Sequence, residues 1–91
     1  RGDKYQVLRT QVDVVKKGNH KVRLKGNLGD LNLFLGDQEI DIPKAGNQAD
    51  LVIDFKNSGK QDLLMVVNGR GTNGYFALEA LSDDLRVINT L

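Results

Sequence analysis

The densest group of residues able to do chemistry in this chain is basic: Lys16, Lys17, His20, Lys21, Arg23 and Lys25 fall within ten positions. If that stretch is extended, Lys21, Arg23 and Lys25 leave one strand face at a repeat of about 6.5 to 7 Å. Such a ladder suits phosphates or an anionic polysaccharide through local, salt-sensitive contacts. The competing reading is an outer strand face paired across to carboxylates such as Glu39 and Asp41, or edge lysines that oppose aggregation. A second group is Gly69-Arg70-Gly71-Thr72-Asn73-Gly74, which matches the G-x-G-x-x-G dinucleotide fingerprint and follows a strand-like run. A pyrophosphate would need a helix after Gly74 to present free N–H groups. The chain ends soon after, and no ribose-binding acid lies about twenty residues on, so a glycine-rich surface loop is the expectation.

Catalytic and metal chemistry find little material. The only histidine is His20, the serines are Ser58 and Ser82, and cysteine is absent, which argues against a nucleophile, base and orienter set. His20 is expected at a turn or on the surface. Asp37, Glu39 and Asp41 alternate and Asp83 and Asp84 are adjacent, yet neither group has the spacing and glycine of a calcium loop. No metal and no cofactor is therefore expected, and the chain is read as not an enzyme. Arg1-Gly2-Asp3 spells an adhesion tripeptide, but at a terminus coincidence is the simpler account.

Composition narrows the classes further. Thirteen Lys and Arg against 12 Asp and Glu leave a net charge of +1, which removes the argument for a general nucleic-acid binder. An apolar fraction of 40% with 27% charged residues suits a globular domain, and no apolar run approaches the ~18 to 20 residues of a membrane span. Membrane insertion is not expected. Ninety-one residues provide for a single domain spanning residues 1–91. The start at Arg1 leads us to expect a piece excised from a larger protein.

The elements that position these groups are short strands. In residues 5–15, Leu8, Thr10, Val12 and Val14 alternate with Arg9, Gln11 and Asp13, the period of a half-buried strand. The Lys16-Lys17-Gly18-Asn19 break, followed by inward Val22 and Leu24, reads as a β-hairpin. Leu31, Leu33 and Leu35, then Ile40 and Ile42, predict two more strands around a Gly36-Asp37 turn, closed by Pro43. Leu51, Ile53 and Phe55 mark another strand before the Asn57-Ser58-Gly59-Lys60 turn. Residues 61–67 are apolar on both faces, which predicts a mid-sheet strand covered on both sides. Residues 75–81 read as a strand, with a short helix near 75–85 as the alternative, and residues 86–91 close the fold. The sum is an all-β, two-sheet antiparallel β-sandwich, jelly-roll-like, of about eight short strands.

Three stretches carry a family resemblance. The run from Val12-Asp13-Val14-Val15 through Lys16-Lys17-Gly18-Asn19-His20-Lys21-Val22-Arg23-Leu24, the unit Leu31-Asn32-Leu33-Phe34-Leu35-Gly36-Asp37-Gln38-Glu39-Ile40, and Gly59-Lys60-Gln61-Asp62-Leu63-Leu64-Met65-Val66-Val67 together resemble family 6 and family 35 carbohydrate-binding modules, which are galactose-binding-like accessory sandwiches. A weaker likeness, on Gly29-Asp30-Leu31-Asn32-Leu33-Phe34, is to the small sandwich at the carboxyl end of secreted peptidases. The first resemblance implies sugar binding at end loops, where the stretch from Arg70 to Tyr75 would supply Asn73 as a hydrogen-bonding side chain and Tyr75 as a stacking ring; Lys21, Arg23 and Lys25, read from their spacing, are the other candidate ligand-binding residues. It implies a non-catalytic module of a secreted, extracellular or cell-surface protein, with a polysaccharide or glycan, anionic if the ladder takes part, or neighbouring domains as partner. A structural or protein-protein interaction sandwich without a small-molecule ligand fits the same residues.

Overall fold

The computed structural model describes residues 5–68 and 76–90. Eight strands and one 3-10 turn account for most of them: β1 (Tyr5–Val14), β2 (Gly18–Lys25), a 3-10 turn (Leu28–Asp30), β3 (Leu31–Leu35), β4 (Gln38–Ile40), β5 (Gln48–Phe55), β6 (Gly59–Asn68), β7 (Ala77–Ala80) and β8 (Leu85–Thr90). They form a five-stranded sheet in the order β4-β3-β6-β1-β8 and a three-stranded sheet in the order β5-β2-β7. All pairings are antiparallel. This is the expected small β-sandwich.

Alternation determines which side chains meet between the sheets. Val12 and Val14 of β1, Leu31 and Leu33 of β3, and Leu63, Met65 and Val67 of β6 point inward from the larger sheet. Val22 and Leu24 of β2, Leu51, Ile53 and Phe55 of β5, and Leu78 of β7 meet them from the smaller one. With no cysteine in the chain, this apolar layer carries the stability. Thr10 is fully buried in the same layer, and its hydroxyl oxygen has no hydrogen-bond partner among the described residues. Burying an unsatisfied hydroxyl costs free energy that a methyl group does not. Thr10→Val is therefore expected to raise the unfolding free energy by about 1 kcal/mol, read as a higher urea midpoint at unchanged m-value.

The connections depart from the expected hairpin. β1 and β2 do not pair; each consecutive pair of strands except β3 and β4 is divided between the two sheets. The reason lies in the inward residues. A hairpin would aim Thr10, Val12 and Val14 and also Val22 and Leu24 at one side of a single sheet, where they would have no opposing layer. By arching across at residues 15–17, the chain lets the two sets face each other. Gly18 opens β2 after this arch with φ +127°, a conformation that strains any residue with a Cβ.

Two further expectations are refined. β6 lies in the middle of the larger sheet, as its apolar run predicts, but only one of its faces is covered: Leu64 and Val66 remain half-exposed on the outer side. There they join Phe34, opposite Leu64, and Val7, opposite Val66, with Tyr5 next along β1. The helical alternative near 75–85 is overturned, since Ala77–Ala80 pairs with β2 as a strand and residues 81–84 turn the chain into β8. Cross-strand burial of Leu78 against Leu24 favours the extended form over the local helix propensity.

Candidate functional site

Three arches come together at one end of the sandwich. The registers place the end of β1 (Val14) beside the start of β6 (Gly59) and the start of β8 (Leu85), while Gly18 of β2 faces Phe55 of β5. The arches at residues 15–17, 56–58 and 81–84 thus share that end. The Val15 N–H donates to the Asp84 carbonyl at 2.8 Å and ties two of them together.

His20 supplies a second tie, and its place corrects the expectation of a surface residue. It is only 6% exposed, with its ring 6.0 Å from that of Phe55 at a tilt of 52°. Nε2 contacts the Lys16 carbonyl and Nδ1 lies 2.8 Å from Ser82 Oγ. A carbonyl only accepts, so Nε2 carries a proton, and in the neutral ring Nδ1 then accepts from the Ser82 hydroxyl. Ser82 Oγ in turn accepts from the Asp84 N–H at 3.2 Å. A serine and a histidine are therefore in contact, which the sequence spacing of 62 positions did not announce. Their arrangement is that of a pin, because no carboxylate bonds the far ring nitrogen to steady an imidazolium, and neither residue lines the clefts described next.

Beside the arches, the β3–β4 hairpin and the β5–β6 arch enclose an open cleft of about 380 Å³. Leu35, Gly36 and Gln38 form one wall, Asp54, Lys56 and Asn57 the other, and Gln61 and Asp62 the floor. The arch is held in place by Gln61, whose amide donates to the Asn57 carbonyl, and by a Lys56–Asp54 ion pair. Asp62 faces Arg9 across β6 and β1 at 3.7 Å. Two carboxylates, three amides and an ammonium line one concave surface, a set of donors and acceptors in fixed positions. A second cleft of about 270 Å³ adjoins it, shares Gln38, Asp54 and Lys56, and runs between Glu39, Ile40 and Asp41 of one sheet edge and Val52 and Ile53 of the other.

The expected binding residues divide into two groups. Arg70, Asn73 and Tyr75, with the whole Gly69 to Gly74 fingerprint and Arg1-Gly2-Asp3, lie outside the described residues. Lys21, Arg23 and Lys25 do lie together on the outer face of the smaller sheet. Their partners, however, are Asp50 and Glu79 from the flanking strands, not Glu39, which is on β4 of the other sheet, or Asp41, which follows that strand. Arg23 grips Asp50 with two bonds, at 2.8 and 3.2 Å, and Lys25 reaches Glu79 at 2.9 Å. The hydrogen bond from Arg23 holds the Asp50 carboxyl below its ordinary range, and the same bond raises the Arg23 guanidinium. Two of the three cations are thus already engaged. Among the described residues, no three His, Asp or Glu side chains come together to hold a metal ion.

The cleft residues were not legible as ligands. Their signals were the Gly36-Asp37 and Asn57-Ser58-Gly59-Lys60 turns, and only pairing across the sandwich brings the two turns to one end. No protein-family model, curated protein or solved structure matches the chain.

Proposed function

We propose that this domain is a non-catalytic accessory module that binds a neutral, hydroxyl-rich ligand, a carbohydrate, in the cleft between the β3–β4 hairpin and the β5–β6 arch. The observation that carries this reading is the cleft itself, about 380 Å³ and lined by Gln38, Asp54, Asn57, Gln61 and Asp62. That volume falls in the range of small-molecule sites. Planar amides and carboxylates bond two neighbouring hydroxyls at once, the pattern that a sugar ring presents. The Lys21, Arg23 and Lys25 face supports a polyanion less well, since Asp50 and Glu79 occupy two of its charges. A module of this kind belongs in an extracellular or cell-surface protein, where glycans are met.

A glycan-array screen of the domain, with and without Ca²⁺, tests the proposal. Binding to neutral glycans is expected, with the double variant Gln38→Ala and Asn57→Ala losing tenfold or more in affinity, about 1.4 kcal/mol, at an unchanged melting midpoint. Loss through Asn73→Ala or Tyr75→Ala instead would move the site to those two residues. Silence across the array would overturn the sugar reading. The second reading, a protein-docking sandwich, draws on Tyr5, Val7, Phe34, Leu64 and Val66 on the outer face of the larger sheet, where Tyr5 is 62% and Val7 59% exposed.

A further inference from the structure

We infer that the free edge of β5 is a docking site for an extended, Lys- or Arg-bearing peptide segment of another protein, which adds to the smaller sheet as a fourth strand. Among the described residues, four strands form sheet edges. β4 has three residues and β7 four, and the register of β8 shifts at Gln11/Val12 of β1. β5 alone has eight residues paired to β2 without a shift, and it contains no proline. Natural edges are usually kept short, bulged, interrupted by proline or studded with charges. Of these devices this edge has only the charges of Asp50 and Asp54, each already paired to a cation.

The register shows which backbone groups are on offer. The Gly26 N–H donates to the Asn47 carbonyl at 3.0 Å, one step beyond the Lys25↔Gln48 pair. In an antiparallel ladder, hydrogen-bonded pairs alternate with non-bonded ones. Leu51 and Ile53 therefore turn their N–H and C=O groups toward β2, whereas Asp50, Val52 and Asp54 turn theirs to the open edge. A strand laid against that edge satisfies these groups, which is the backbone half of peptide recognition by strand addition.

Charge and shape select the occupant. The 270 Å³ groove beside this edge has Glu39, Ile40 and Asp41 as its far wall. Neither Glu39 nor Asp41 has an ion-pair partner among the described residues, although Glu39 accepts a hydrogen bond from the Asn32 amide at 2.7 Å, while Lys56, the groove's cation, is bound to Asp54. Alternate side chains of an added strand would enter the groove. Lys and Arg fit there, with aliphatic stems along half-buried Ile40 and charged heads at Glu39 and Asp41.

Amide hydrogen exchange by NMR on the whole domain tests this with the peptide acetyl-Thr-Lys-Val-Lys-Val-Lys-Thr-amide. At a peptide concentration near ten times its Kd, exchange at Asp50, Val52 and Asp54 is expected to slow about tenfold. The same peptide with Glu for each Lys should give no slowing. Val52→Pro removes one outward N–H that the fold itself does not use, and the double variant Glu39→Lys and Asp41→Lys reverses the groove's charge. Each is expected to weaken binding tenfold or more while leaving the amide spectrum of the opposite edge, β7, unchanged. Equal binding of the Glu peptide, or protection at β7 or β8 instead of β5, would overturn the proposal. So would protection at β5 without peptide that grows with protein concentration, because a second copy would then be the occupant.

Discussion

Phe55→Ala is expected to lower the unfolding free energy by about 3 to 5 kcal/mol. Phe55 is fully buried, ends β5, and packs on the His20 ring at the point where the strand leaves for the β5–β6 arch. Truncation removes the transfer free energy of the ring and leaves a cavity that two sheets held by their ladders cannot fully close. A chain of this length has about 5 to 14 kcal/mol in total, so the loss takes a large share of it. Equilibrium urea unfolding checks it through the midpoint at constant m-value. A loss under about 1 kcal/mol would mean that the core closes around the gap, and that Phe55 does not organise this end of the sandwich. Because Phe55 lies next to Lys56 and Asn57, the same variant should also loosen the cleft wall, read as faster amide exchange at those two residues.

The second large effect is at His20, where replacement by Ala is expected to cost about 2 to 4 kcal/mol. Two contributions add. The ring leaves its contact with Phe55, and the Ser82 hydroxyl and Lys16 carbonyl lose their partners. Ser82→Ala removes only one hydrogen bond and should cost about 1 kcal/mol. If the pin acts as one unit, the double variant should cost less than the sum of the two single ones, since contacting residues are not additive. Fully additive losses would separate the serine from the histidine and leave the arches held by the Val15 to Asp84 backbone bond.

Both residues illustrate how far reasoning from the chain reaches. Phe55 was legible as core because it continues the alternation of Leu51 and Ile53, and alternation is a local property of extended backbone. His20 was not. Its own strand already aimed it inward, in phase with Val22 and Leu24, but a lone polar residue after a glycine turn reads as exposed unless its partners are known. The Lys16 carbonyl is only four residues away, but Ser82 lies 62 positions on, and no local pattern brings it there. The basic ladder behaves in the same way: that Lys21, Arg23 and Lys25 share a face followed from their spacing, while the identity of their carboxylates depended on which strands became neighbours.

What the sequence by itself determined is the all-β class, the strands up to Phe55 with their alternating apolar residues, the central place of residues 61–67 and the turn at Gly36-Asp37. These are decided within a few residues by alternation, β-branching and glycine, whereas residues 77–80, where helix propensity competed, were set as a strand only by the pairing of Leu78 with Leu24. The tertiary structure alone decided that β1 and β2 arch between sheets and do not pair, that His20 is buried, and that the hairpin at Gly36 and the arch at Asn57 wall one cleft. It alone left β5 with an open edge. Strand alternation specifies a face but not a neighbour, and each of these features is a statement about neighbours, settled only when two apolar faces had to cover each other.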